Sequence, residues 1–403
     1  MPDLDVNENS DIYYQGRYWN DLEAVIRHLN QRVSGDPSTP WYEHFARATG
    51  RTFDRALILN CGNGWVERDL LACGLVREAV GIDYAEDLLR EARAAAAEGG
   101  LALTYEQVNI NTGELPHGEF DLVVNHAGAH HIAAIDRVFR EICRLLPDDG
   151  WFVSHDYVGP HRNQYAPDAW EAAWTLNGQL PGTFRQDLRY PHLPTMLVMD
   201  PTEAIHSELI VETFRRYFTT REFIPLGGAL AYPLLTHNDR LLDAEDEAAR
   251  AQCIERVLDA DVDFLNAHPD STLFAYFAGT PDKSVLERGA QLSSWTAAED
   301  ERERVAADHG GEYYPRGALA SALIALDEAR REGERVAART QALASEVEAL
   351  RADPVYAAFR ALLDAKATRR VRSTRLVGAA ERRTRAAVGR RGPAESPASA
   401  RDG

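Results

Sequence analysis

Lysine is nearly missing from this 403-residue chain: only Lys283 and Lys366 occur, and arginine carries almost all of the positive charge. Cysteine is sparse too. Cys61, Cys73, Cys143 and Cys253 form no C-x-x-C pair and no Cys/His cluster, so reduced thiols in a cytoplasm are the expectation. No apolar run reaches the roughly 20 residues of a membrane span. The N-terminal MPDLDVNENSDIYYQGR lacks the apolar core of a secretory signal. G-x-S-x-G, Walker A and H-E-x-x-H are absent, and the hydrolase, P-loop and zincin chemistries fall away with them. His130 and His131 are adjacent rather than four apart on a helix, and from that spacing no metal site is expected. Net charge is −19, which argues against a nucleic-acid footprint on the body of the chain. Residues 366–391 run the other way, with ten Lys or Arg against the single acid Glu381.

What is present begins at Arg55. The apolar run Ala56-Leu57-Ile58-Leu59 reads as a buried parallel strand. It meets the turn Asn60-Cys61-Gly62-Asn63-Gly64, then a helix from Val66 to about Cys73, then a second strand, Ala79 to Ile82, closed by Asp83. Glycines in the turn let a ligand approach the backbone, and an acid at the next strand end can hold two ribose hydroxyls. A dinucleotide site would want a third glycine, but Trp65-Val66-Glu67 follows Gly64. Glu67 at the helix start would also repel a pyrophosphate. A nucleoside cofactor without phosphates fits better.

The alternation continues. Tyr105 to Val108 reads as a third strand and Phe120 to Val124 as a fourth, followed by Asn125-His126-Ala127-Gly128-Ala129-His130-His131. A helix from Ile135 to Leu146, the turn Pro147-Asp148-Asp149-Gly150 and a fifth strand, Trp151 to Ser154, come next. Tyr217 to Leu226 and Thr272 to Ala278 read as strands six and seven, with a helix from Asp243 to Ala267 between them. Strands alternating with amphipathic helices at short spacing predict a doubly wound α/β sheet.

Cys61-Gly62-Asn63-Gly64, Asp83, the FDLV segment with its His-His pair and the proline turn before strand five together resemble the class I S-adenosylmethionine-dependent methyltransferases. Ile58 and Asn60 depart from the acid and the glycine that the family usually has there. His155-Asp156-Tyr157-Val158-Gly159-Pro160-His161-Arg162-Asn163-Gln164 is similar to a motif of a bacterial subgroup, and the likeness extends over residues 10–280. The resemblance implies a Rossmann-like seven-stranded sheet with helices on both faces and S-adenosylmethionine held by Asn60, Gly62, Gly64, Asp83, Tyr84, Asn109 and Ile110, with Tyr18 closing over it. His155, Asp156 and His126 are the candidate catalytic groups. Tyr157, His161, Arg162 and Gln164 are candidate acceptor contacts. A hydroxyl of a saccharide, such as a surface-glycan precursor, or of a small metabolite is the expected acceptor. The alternatives are a non-catalytic scaffold and another S-adenosylmethionine-binding enzyme on the same fold.

The expected organisation is a helical cap over 1–45, a catalytic domain over 46–282 with an acceptor lid at 159–212, a helical extension over 283–365 and a basic, partly disordered tail over 366–403. Apolar residues recur every three or four positions from Leu319 to Leu350. They read either as a coiled-coil seam for a homodimer or as a single solvated helix. The basic stretch 366–391 could touch an anionic membrane at its inner face, or stay solvated.

Overall fold

The computed structural model describes residues 17–191, 200, 202–288, 330, 332–345 and 348–349. Two helices come first, α1 (Glu23–Ser34) and α2 (Trp41–Thr49). The alternating unit follows: β1 (Phe53–Leu59), α3 (Trp65–Ala72), β2 (Val76–Asp83), α4 (Glu86–Gly99), β3 (Leu103–Gln107), β4 (Leu122–His126), α5 (Ile135–Leu145) and β5 (Trp151–Tyr157). Helix α6 (Pro167–Gln179) lies between β5 and the last two strands, β6 (Phe218–Gly227) and β7 (Phe274–Pro281). The sheet order is β3-β2-β1-β4-β5-β7-β6, with β7 antiparallel to both of its neighbours. This is the seven-stranded, Rossmann-like methyltransferase arrangement that the sequence led us to expect.

The pleat sorts the core into two layers. Ala56 and Ile58 of β1 face a layer with Val25 and Leu29 of α1, Phe45 of α2 and Leu70 of α3. Leu57 and Leu59 face the other, with Val138, Phe139 and Ile142 of α5 and Phe214 and Phe277. Successive side chains of a strand point to opposite faces, so one apolar run feeds both layers. Several strands start earlier than their apolar runs. Asp54 and Arg55 of β1 pair across to Arg77 and Glu78 of β2; exposed ion pairs occupy strand positions that a hydrophobicity reading counts as loop. The long helix Glu247–Ala267 starts four residues after the expected Asp243, because Asp246 caps it by accepting from Ala249 N at 3.0 Å.

Residue 45 is no boundary. Phe45 lies inside α2 and stacks on Phe53 at 5.8 Å, and Trp19 is 1% exposed, so residues 17–49 belong to the core of the sheet domain. The aromatics that suggested a lid are largely interior. Tyr165 stacks on Trp170 at 5.9 Å, Tyr190 stands edge-on to Trp170, and all three are buried.

Residues 328–403 form a separate compact unit. Its helix 332–345 leaves Val336 and Leu343 exposed, seven residues apart. The other apolar members of the expected seam and the basic stretch 366–391 lie outside the described residues. Among the described residues no helix is long and apolar enough to cross a membrane.

Candidate active site

The strand order reverses between β1 and β4, so their carboxyl ends open the crevice where α/β sheets bind ligands. After β1 the chain turns through Asn60, Gly62 and Gly64 with φ of 46°, 57° and 78°. Asn60 adopts the left-handed conformation that few residues besides glycine tolerate. Its Nδ2 donates to the Gly128 carbonyl at 2.7 Å, tying the turn after β1 to the turn after β4. Gly64 has no room for a side chain, since a Cβ there would lie 2.4 Å from the Tyr105 hydroxyl and 2.9 Å from the Ala92 Cβ.

Asp83 closes β2 beside this turn. Its two oxygens accept from Gly62 N and Ala85 N, each at 2.8 Å, so backbone amides aim the carboxylate. Burial pushes its carboxyl above the usual range, against the pull of those amides. The Tyr84 carbonyl accepts from Gln107 Nε2 at 3.0 Å. After β3, Asn109 Oδ1 accepts from Asn111 N at 3.0 Å, and Ile110 is buried. Asn111 then donates to the His131 carbonyl at 3.1 Å and accepts from Ala133 N at 2.8 Å. That side chain, passed over in the sequence, stitches the loop after β3 to the loop after β4.

The histidines and acids proposed as catalytic divide between the two faces of the sheet. His126 and His155, paired across β4 and β5, stack at 5.0 Å on the face covered by α2, with Trp41 5.8 Å from His126. Trp65, just past the glycine turn, meets His126 edge-on at 5.0 Å. Burial, and then His155, push the His126 imidazole down to about 3; burial pushes His155 down to about 4. Both are weak proton acceptors.

Asp156 faces the opposite way and is 1% exposed. It accepts from Asn125 Nδ2 at 2.7 Å, Gly128 N at 3.1 Å, Ala129 N at 2.6 Å, Tyr157 N at 2.6 Å and His130 Nδ1 at 2.5 Å. Burial alone would raise its carboxyl, but His130 and the amide donors hold it below the usual range. In this structure Asp156 holds the turn after β4, while His155 is stacked on His126 and is a weak proton acceptor.

The turn that Asp156 holds presents His130 and His131. Glu203 Oε2 lies 3.7 Å from Nε2 of each. Burial would lower His130, but the Asp156 carboxylate more than offsets it and lifts the imidazole to about 9. Burial and the neighbouring His130 lower His131. Tyr18 stands on this side as well. Burial first, and then Glu203 and Asp200, push its phenol up to about 12.

The proposed acceptor residues pin the loop that carries Glu203. Arg162 is 3% exposed and donates to the Glu203 carbonyl at 3.1 Å. Gln164 is 2% exposed and donates to the Arg162 and Pro191 carbonyls. The Tyr157 hydroxyl donates to the Pro160 carbonyl, and His161 Nε2 lies 2.9 Å from Glu208. Tyr157, Arg162 and Gln164, expected as acceptor contacts, are here engaged with backbone carbonyls.

Residues 57–154 match the model of a family described as a methyltransferase domain. The chain carries a class I, S-adenosylmethionine-dependent methyltransferase domain. It is similar to an uncharacterized methyltransferase, YcgJ, of Bacillus subtilis, at 27% identity over 26% of this chain and 41% of that protein. It is also similar to EEF1A lysine methyltransferase 4 of Bos taurus, at 24% identity over 34% and 62%. The match therefore spans less than two thirds of either relative. Among solved structures, YcgJ aligns at 17% identity with a TM-score of 0.36, covering 60% of this chain and 97% of that one. Phosphoethanolamine N-methyltransferase 2 of Haemonchus contortus, in complex with S-adenosyl-L-methionine, aligns at 16% identity with a TM-score of 0.40, covering 68% and 60%.

S-adenosylmethionine is the cofactor of this methyltransferase domain, and the residues present fit it. Asp83 keeps a lone pair on each oxygen beyond the two amide bonds, the requirement for two ribose hydroxyls. Burial pushes the Glu67 carboxyl up to about 7 at the start of α3. Nδ1 of His126 is buried beside Trp65 with no hydrogen-bond partner among the described residues, an orphan that a ligand in the crevice would satisfy. When bound, the cofactor supplies an electrophilic methyl group. Asp83 and the glycine turn are the groups that would hold its nucleoside, and Trp41 and Trp65 pack against His126 beside them.

Proposed function

We propose that the protein transfers methyl from S-adenosylmethionine to a hydroxyl of a saccharide or small metabolite. One observation carries this reading. The cluster of His130, His131 and Glu203 stands where the turn after β4 meets the turn after β1, at the mouth of the crevice. Transfer to a hydroxyl needs a proton acceptor beside the attacking oxygen, and the His131 imidazole, lowered by burial and by His130, and the Glu203 carboxylate are the side chains suited to it. A polar phenol, Tyr18, on the same side suits a hydroxylated acceptor. Arg162, which lies next to the cluster, is engaged with backbone carbonyls rather than presented to a polyanion.

Incubation of the pure protein with S-adenosylmethionine and a panel of sugar nucleotides, small hydroxylated metabolites and lysine-containing peptides tests the reading by product mass and fragmentation. The expected product carries one added methyl on oxygen, with demethylated cofactor in equal amount. Methylated lysine, or cofactor binding without turnover on any hydroxylated acceptor, would overturn it.

A further inference from the structure

His130, His131 and Glu203 bring three potential metal-ligand atoms together. Their ligand atoms, the two Nε2 and one carboxylate oxygen, lie within 4.8 Å of one another. Donors about 2.1 Å from a common ion sit about 3.0–3.5 Å apart, so the 3.7 Å between each Nε2 and Oε2 needs only a small contraction.

The orientation of each imidazole is fixed from behind. Asp156 is a carboxylate and can only accept, so His130 Nδ1 donates to it at 2.5 Å and Nε2 is turned towards Glu203. Thr202 gives its one hydroxyl proton to Asp200 at 2.9 Å. Its oxygen must then accept from His131 Nδ1 at 3.1 Å, which leaves the lone pair on Nε2. A histidine whose far nitrogen donates to a carboxylate or its relay is the usual backing of a metal ligand. The third arm is held as firmly. Asn163 Nδ2 donates to Glu203 Oε1 at 3.3 Å, Arg162 Nη1 donates to the Glu203 carbonyl at 3.1 Å, Arg162 N donates to the Ala204 carbonyl at 2.8 Å, and Ile205 N donates to the His130 carbonyl at 3.1 Å. Ala127, Arg162, Asn163 and Ala204 all have φ between 49° and 54°. Four non-glycine residues in a left-handed conformation around one three-residue cluster are a concentration of strain that ordinary loops lack.

We propose that His130, His131 and Glu203 bind a divalent first-row transition-metal ion, with further coordination positions open to acceptor hydroxyls. Two imidazoles and one carboxylate suit zinc, cobalt or iron(II) better than magnesium or calcium. The ion displaces whatever proton bridges Nε2 and Oε2. Its role of gripping an acceptor oxygen rests on the methyl-transfer reading: there the ion takes over from the cluster, acidifying the bound hydroxyl so that its proton is lost to solvent as the oxygen attacks; the site itself does not rest on that reading.

Cobalt(II) is the probe, because its visible absorption reports imidazole and carboxylate coordination. The full-length protein without an affinity tag is stripped with chelator and titrated, beside Glu203→Gln, His131→Gln and Asp83→Ala variants, each checked by thermal melting. One equivalent with a visible band is expected for the parent and for Asp83→Ala. Affinity should fall at least tenfold in Glu203→Gln and in His131→Gln. Absence of stoichiometric binding in the parent, or binding that survives both ligand substitutions, overturns the site. Cobalt bound without S-adenosylmethionine binding would sink the methyltransfer reading and leave the metal site standing. Cofactor bound without cobalt would do the reverse.

Discussion

The cofactor side and the acceptor side of the crevice are built on opposite plans. On the cofactor side, Asn60 to Gly64 and Asp83 are close in sequence, and short backbone bonds set their geometry. On the acceptor side, His130, Asp156 and Glu203 come from three stretches of chain, and side-chain bonds bring them together. Backbone geometry makes the first side tolerant of change in its surroundings. The second is a network in which each polar group depends on several others.

The sharpest way to break this contrast is Asp156→Ala. It strands the amides of Gly128 and Ala129, the Asn125 amide and the His130 imidazole in a buried site. A loss of about 3–5 kcal/mol is expected in denaturant unfolding. A loss under about 1 kcal/mol would show that the network is not cooperative. Next comes Asp83→Ala, which should leave the melting temperature nearly unchanged. It should weaken S-adenosylmethionine binding roughly hundredfold by calorimetry, as expected for charged hydrogen bonds to the ribose.

A smaller effect belongs to Glu67, fully buried and pushed up to about 7 by burial. The folded state holds the proton more tightly than the unfolded chain does. Its contribution is complete below the unfolded carboxyl value and is lost as pH rises through 7. Relative to the parent, Glu67→Gln should gain about 2–3 kcal/mol between pH 5 and pH 8. His155 has the opposite sign. Burial pushes it down to about 4, so stability is complete above the unfolded imidazole value and is lost as pH falls towards 4. His155→Gln should flatten the acid limb of the stability curve near pH 5 by about 1 kcal/mol, read from melts across pH.

The same contrast explains what the sequence revealed. The β-α-β unit and Asp83 were legible because the groups that act together are near each other in the chain. Strand limits were blurred where ion pairs such as Arg55–Glu78 sit inside strands. On the acceptor side, the adjacency of His155 and Asp156 was misleading. Neighbours on a strand face opposite sides, so one joined the Trp41 stack and the other the His130 turn. His130 and His131 gave no metal spacing by themselves, because their third partner, Glu203, lies more than seventy residues away. Arg162 and Gln164 looked like acceptor contacts in a motif, but their burial directs them to backbone carbonyls. An unbroken polar run after a strand does not disclose which way its side chains turn.

The position of β7 has a consequence for how this chain is made. Residues 274–281 lie between β5 and β6, although among the described residues they are the last strand to leave the ribosome. At bacterial or eukaryotic synthesis rates, the outer edge of β5 waits roughly ten seconds for its neighbour. Through that interval the nascent protein carries an unpaired strand, a surface prone to pair with another chain. A ribosome stalled anywhere between Tyr157 and Phe274 therefore holds an open sheet.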